Sequence, residues 1–419
     1  MNSDTFVVAE FGPVTATQAL RLAPDPLPET TVSALVATPS SAIAVVRNTG
    51  GDAASFSSRM VQTGLYLDDM RESPLGEVIV SAAAPTASGV LLGGVQVGQR
   101  GLCEQAAGSE SSCFVADVPP TGCQPNVSMT SFRCGTGSVS AVTTTATGIA
   151  VAGTFTESLE LGAMAVATGG RDAFIGWQEA GTWQRLVVAS PMADHAMSVA
   201  QGPGRLWGLV ALGETGSIGG VVLPAGISLV AVEDGAPLLV HAFGVAARQD
   251  VQGYVHADGN VTALSDGGVI VAASFVGTLD ADFFVARVAA DGQVLWTQTI
   301  VGAGAASVTS APLWGDEVVV GGGYCGTLQL PGDLSMGVMG QGADCDAFAI
   351  GFDVLTGAPR WSRRIGGQWP DEAARLSVAD GGLFVGASQQ GAGTLGRWIT
   401  GFGDGRSAIL ARFERVSPP

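Results

Sequence analysis

The sequence predicts an all-β protein, a single seven-bladed β-propeller with four-stranded blades and both termini closing in one blade. Three observations predict it. A short apolar strand phrase recurs along the chain at near-constant spacing, a glycine-rich hairpin alternates with it, and no segment carries a convincing helical pattern.

The recurring phrase is clearest at Asp282-Phe283-Phe284-Val285-Ala286-Arg287-Val288, followed by a turn at Asp291-Gly292 and then Trp296. Other copies run from Asp346 through Phe348 to Trp361 and from Asp172 through Phe174 to Trp183. Weaker copies centre on Phe114, Leu229 and Ile409, and Asp4–Phe11 supplies one at the N-terminus. The positions Phe114, Phe174, Leu229, Phe284, Phe348 and Ile409 are separated by 60, 55, 55, 64 and 61 residues, a mean of 59, so 419 residues hold about seven units. The second unit is clearest at Val261–Leu264, a turn at Asp266-Gly267-Gly268, and Val269–Phe275. Its relatives centre on Ile43, Val90, Ile149, Leu206, Val318 and Leu383, again seven in all, and most end on small residues such as Gly93-Gly94, Gly153 and Gly321-Gly322-Gly323.

Both units read as β-hairpins, because apolar β-branched or aromatic runs flank Asp-Gly or Gly-Gly turns. Two hairpins make one blade, and ring closure removes exposed sheet edges. One domain over 1–419 follows, with repeats near 33–75, 77–134, 138–190, 198–243, 261–301, 307–366 and 376–416, and 4–21 completing the closing blade. Residues 47–75 match the repeat least well, and the Pro-rich stretches 22–32 and 119–125 read as loops.

Composition removes several functions. Every basic residue is arginine, and the net charge is -18. An acidic chain without lysine is a poor match for nucleic acid and has no lysine for Schiff-base or P-loop chemistry. A hydrophobic content of 47% excludes general disorder. No run approaches the roughly 18 apolar residues of a membrane span. The opening residues Met1–Phe6 have neither a basic n-region nor an apolar h-region, so the chain is expected to be cytosolic or a mature form without its leader.

The six cysteines choose between these. None has metal-type CxxC spacing and no histidine lies near them in sequence. An even count in glycine-rich loops points to three disulfides and an oxidising compartment, free surface thiols being the alternative. Six cysteines allow 15 connectivities. The repeat favours neighbour pairing, Cys103–Cys113, Cys123–Cys134 and Cys325–Cys345. Cys113 and Cys345 stand at the start of Phe strands, while Cys103 and Cys325 follow small-residue strands.

Few residues offer chemistry. Trp183, Trp296 and Trp361 recur at one strand position and read as inter-blade packing or as a sugar platform. Trp369 and Trp398 fall outside that register and are the candidate ligand-binding aromatics. Asp280 with Asp282, and Asp344 with Asp346, place carboxylates at i and i+2, donors of the kind Ca²⁺ takes or caps for loop N–H groups. No other cofactor is implied. Asp194-His195 is half of an acid–base device, but neither Ser190 nor Ser198 has a nucleophile-elbow motif. Glu157 and Glu160 read as a carboxylate pair or as two residues exposed on a loop edge.

The phrase Asp-Ala-Phe-hydrophobic-Ala, a glycine turn, then Trp resembles the seven-bladed propeller repeat of secreted bacterial proteins (the SBBP type) over most of residues 77–413. The missing Trp after Phe114 and Leu229, and the degenerate first blade, depart from it. The resemblance implies an extracellular or surface protein without assigned catalysis. A more distant resemblance is to quinoprotein propellers, whose blade Trp and Gly recur here in few clean copies. The expected function is non-catalytic presentation of loops to a protein or glycan partner, in unknown oligomeric state. The alternatives are a channel-centred enzyme, such as a polysaccharide lyase or glycoside hydrolase, and a structural module of a larger surface assembly.

Overall fold

The computed structural model describes residues 14–21, 30–49, 56–65, 70–97, 102–104, 112–124, 127–249, 255–256, 258–276, 281–302, 304–330, 334–337, 345–367, 371–390, 393–395, 398–400 and 406–415. Among these there is no α-helix, only a single 3-10 turn at Leu102–Glu104. The strands form a seven-bladed β-propeller whose blades are four-stranded antiparallel sheets.

The innermost strands, from first blade to seventh, are Thr30–Ala37, Val78–Pro85, Ser138–Thr145, Asp194–Gly202, Gly259–Ala263, Ala306–Ser310 and Glu372–Ala379. The second strands are the glycine-turn segments of the sequence: Ser41–Thr49, Val90–Gln96, Gly148–Phe155, Arg205–Leu212, Val269–Val276, Glu317–Cys325 and Gly382–Gln390. The third strands carry the Phe phrase: Phe56–Gly64, Ser112–Val118, Asp172–Glu179, Gly226–Glu233, Ala281–Val288, Cys345–Asp353 and Arg406–Arg415. Outer strands follow in the first six blades. In the seventh the outer strand is Val14–Arg21, paired antiparallel from Val14↔Arg415 to Arg21↔Ile409. The ends of the chain thus meet in one blade; the Asp4–Phe11 copy lies outside the described residues.

Seven apolar clusters fill the seven seams between neighbouring blades. Ile43, Val45 and Met60 of the first blade pack on Val80, Leu92 and Phe114 of the second. The last seam joins Ala42, Ala44 and Val61 to Phe384, Ala408 and Leu410, which closes the ring. Phe114, Phe174 and Phe348 are fully buried and face the preceding blade. Opposite each in register is a glycine, at 94, 153 and 322. A Cβ on Gly153 would stand 2.2 Å from Ser138 O, and on Gly322 1.8 Å from Ser307 O, so the innermost strand's backbone demands glycine there. In the fourth blade the register position belongs to Ser228, opposite Val210. Leu229 is one residue out and faces the following blade, because a one-residue shift reverses a strand's faces.

Segments between second and third strands reach back over the preceding blade. The ribbon Gly216–Ile218/Val221–Leu223 pairs with the outer strand of the third blade through Val188↔Ile218. Thr327–Leu330/Leu334–Gly337 and Gly393–Leu395/Trp398–Thr400 do the same to the fifth and sixth blades. In the second blade Leu102, fully buried, plays this part against the first.

Three disulfides are present. Cys325–Cys345 is as the repeat predicts: the two residues are register partners at the ends of adjacent strands. The other two pairs are corrected to Cys103–Cys123 and Cys113–Cys134. Cys103 is not equivalent to Cys325, because its blade's second strand already ends at Gln96. Cys103 instead sits in the 3-10 turn, within reach of the loop that carries Cys123 (Cα–Cα 5.1 Å). Cys113 lies in register with Phe132, which brings Cys134, just past the fourth strand, within 5.8 Å. Three disulfides point to an oxidising, non-cytoplasmic setting. No helix among the described residues is long and apolar enough to cross a membrane.

Candidate functional site

The seven innermost strands enclose an axial channel with a cavity of about 600 Å³, lined by residues of every blade. The strands that wall it are bulged. Pairing to the second strand skips Ser33, Ser81, Ser140, Met197 and Thr309 in five of the blades, and residues between Glu372 and Arg375 in the seventh. A bulge re-aims the extra side chain, and Ser33, Ser81, Ser140, Met197 and Thr309 all line the channel.

Most of these hydroxyls tie one blade to the next. Ser81 donates to Val139 O and Thr309 to Ala374 O. Thr262, on the unbulged fifth strand, donates to Ala311 O at 2.7 Å. Backbone N–H groups return the pattern, Val261 to Ser198 Oγ at 3.1 Å and Leu376 to Ser310 Oγ at 3.1 Å. An innermost strand has a ladder partner on one side only, and links of this kind satisfy backbone groups on its other side, as at Val261 and Leu376.

Between the third and fourth blades the link is of another kind. Ser140 Oγ lies 3.0 Å from His195 Nε2, side chain to side chain, in the channel wall. A hydroxyl within hydrogen-bond reach of an imidazole is the minimal nucleophile–base pair. Asp194 does not extend it. Alternate residues of a strand face opposite ways, and Asp194 is buried in the seam, where it contacts Ser190. Besides His195, the titratable residues among the described channel lining are Asp258 and Arg375.

The other sequence candidates sit elsewhere. Asp282 is buried and accepts the Gly302 N–H at 2.9 Å, the capping role. Asp346 is buried with Arg364 Nε 3.7 Å away. Asp280, Asp344 and Trp369 lie outside the described residues. Trp398 begins the second strand of the ribbon laid on the sixth blade, opposite Leu395. Trp361 is buried and Trp296, half-buried, donates to Val354 O of the next blade at 3.0 Å, so both pack between blades. Glu157 occupies a left-handed turn and Glu160 is exposed on the ribbon Ser158–Leu161; neither lines the channel. His241 packs its ring on Phe243. The channel hydroxyls escaped the sequence reading. Their signal was a Val-Ser or Val-Thr dipeptide in innermost strands, at Val32-Ser33, Val80-Ser81, Val139-Ser140, Val261-Thr262 and Val308-Thr309.

No protein-family model matches the chain, and no curated protein sequence does. Its likenesses are to solved structures. It is similar to the phage phi92 endosialidase at 11% identity and a TM-score of 0.44, over 98% of this chain and 70% of that one. It is similar to the quinohemoprotein alcohol dehydrogenase from Comamonas testosteroni at 8% and 0.43, over 96% and 76%. It is similar to the polysaccharide lyase Uly1 at 9% and 0.45, over 92% and 90%. At these identities the likeness is one of fold alone.

Proposed function

We propose that the chain is a non-catalytic extracellular binding propeller whose axial channel receives a neutral, hydroxyl-rich ligand of the glycan class. One observation carries the reading. The described channel lining carries hydroxyl or amide side chains from six blades and Arg375 from the seventh, and it holds one carboxylate, Asp258. Such a surface offers many weak polar contacts to a polyol, whereas glycoside cleavage by acid–base chemistry needs two carboxylates across the scissile bond. The three disulfides support an oxidising destination, as does the resemblance of the repeats to SBBP-type propellers. Titration calorimetry against neutral oligosaccharides tests it. Binding is expected, and Ser33→Trp, which projects into the channel from the bulge of the first blade, abolishes it while the melting temperature holds. Binding unaffected by Ser33→Trp places the ligand elsewhere, and no binding at millimolar sugar rejects the class.

The Ser140–His195 pair favours a second reading, a channel-centred hydrolase in which Ser140 attacks an activated carbonyl and His195 takes its proton. A fluorophosphonate probe decides it. Labelling of Ser140 that is lost in Ser140→Ala and His195→Ala supports catalysis; no labelling leaves the pair as a link between blades.

A further inference from the structure

Asp194 opens the innermost strand of the fourth blade, with its carboxyl wholly buried in the seam with the third. Its Oδ1 lies 2.7 Å from Ser190 Oγ, and its Oδ2 has no hydrogen-bond partner. Ser190 Oγ also stands 3.0 Å from Met192 O and receives the Met192 N–H at 3.2 Å. A hydroxyl has one proton and two lone pairs. With Asp194 ionised, that proton serves either the carboxylate or Met192 O, and the other close pair of oxygens is left without one. A proton on Oδ1 satisfies the whole set. Asp194 then donates to Ser190 Oγ, Ser190 donates to Met192 O, and the remaining lone pair of Ser190 takes the Met192 N–H.

We propose that Asp194 is held as a neutral carboxylic acid and that its proton fastens the seam between the third and fourth blades, so that rising pH loosens the channel wall where Ser140 meets His195. The groups around it agree. From the third blade's third strand comes Asp172, also buried, whose oxygens take the Thr168 N–H and hydroxyl and the Gly169 N–H. Its charge opposes a second one beside it. Arg171, next to Asp172, gives its carbonyl to the Asp194 N–H at 2.9 Å. From the end of the fourth blade's second strand the Gly213 N–H is shared with Ala193 O. On Asp194's own strand the neighbouring titratable group is His195, which faces the channel. Burial first, and the Asp172 charge after it, push the carboxyl up to about 7 against the opposing hydrogen bonds of the Ser190 hydroxyl and of the Ser190 and Gly213 N–H groups. A carboxyl that keeps its proton in the fold but loses it near pH ~4 when unfolded stabilises fully below about pH 4. That contribution is lost as pH rises through the folded value.

The test compares melting temperatures of the full chain and Asp194→Asn from pH 4.5 to 8.5, in EDTA and in calcium. The unmodified chain should fall relative to the variant as pH rises, the gap levelling above pH ~8; parallel curves overturn the proposal. Carboxyl ¹³C NMR of the unmodified chain does not depend on the variant folding. One aspartate should titrate near neutrality and move down in Asp172→Asn, whereas titration of every aspartate below pH ~5 refutes it. A calcium-dependent rise in melting temperature that Asp194→Asn removes would also refute it, because the seam would then hold a cation in place of the proton.

Discussion

Trp361 gives its indole N–H to Glu317 Oε2 at 2.7 Å, joining the outer strand of the sixth blade to the start of its second strand. Both residues are buried, and Arg415 of the seventh blade reaches the same carboxylate at 3.5 Å. The repeated tryptophan position is therefore an anchor between blades in this copy, with a charged partner that its counterpart Trp296 lacks. Trp361→Phe keeps an aromatic ring but removes the indole N–H from Glu317, at a cost of about 1.5–3 kcal/mol for a bond to a charged group. Trp296→Phe, which loses a bond to a carbonyl, should cost about 1 kcal/mol. Urea unfolding midpoints in the reverse order would contradict this account.

The glycine opposite each buried Phe gives a sharper contrast. Gly322→Ala drives a methyl into Ser307 O, whereas on neighbouring Gly323 the nearest atom, of Ala373, is 3.2 Å away. The first change should cost about 3 kcal/mol, by overpacking that only a backbone shift relieves, and the second under about 1 kcal/mol. Thermal melts of the two single variants rank them; equal losses would show that the innermost strand yields easily.

Disulfide connectivity can be read by mass spectrometry of an unreduced digest. Peptides carrying Cys103 and Cys123 should be joined, as should those carrying Cys113 and Cys134. The two bonds close loops of similar size, with sequence separations of 20 and 21. Loss of each should cost about 3 kcal/mol by the chain-entropy model. A Cys103–Cys113 link would restore the neighbour pairing expected from the repeat.

On the acid side, the Arg360 hydrogen bond holds the Asp316 carboxyl below its ordinary range. A depressed carboxylate stabilises the fold above its unfolded pKa of about 4, and that contribution disappears as pH falls through the folded value. Arg360→Gln should therefore flatten the fall in melting temperature between pH ~4.5 and ~2. The step is small because Asp316 is mostly exposed. An unchanged acid limb would mean that the pair contributes nothing to folding.

What could be read from residues was the repeat, because a strand buried on both faces leaves a continuous apolar run such as Phe283–Ala286. The first blade was faint for the converse reason. Its third strand alternates buried Ser58 and Met60 with half-buried Arg59, and its outer strand begins with exposed Arg71 and Glu72. The neighbour pairing of Cys103 failed because Cys103 lies beyond the end of its blade's second strand at Gln96, whereas Cys325 is the last residue of its own, and the repeat does not carry that offset. Leu229 was placed by its hydrophobicity, but Ser228, a buried serine, held the register. The channel was least legible. Bulges that aim Ser140 and Thr309 inward arise from pairing between strands, and His195 meets Ser140 across 55 residues of chain.

The outer strand of the seventh blade, Val14–Arg21, has a consequence in time. Each of the first six seams can form as synthesis proceeds, because its two blades are consecutive in the chain. Completing the seventh blade instead needs residue 21 beside residue 409, so the earliest of the described strands must wait for the last, and the seam between that blade and the first waits with it. A chain cut short would keep two adhesive flanks, the Ala42–Ala44 face of the first blade and the outer side of whichever blade was made last. Incomplete copies thus announce themselves by exposed apolar surface, of the kind that chaperones and proteases recognise.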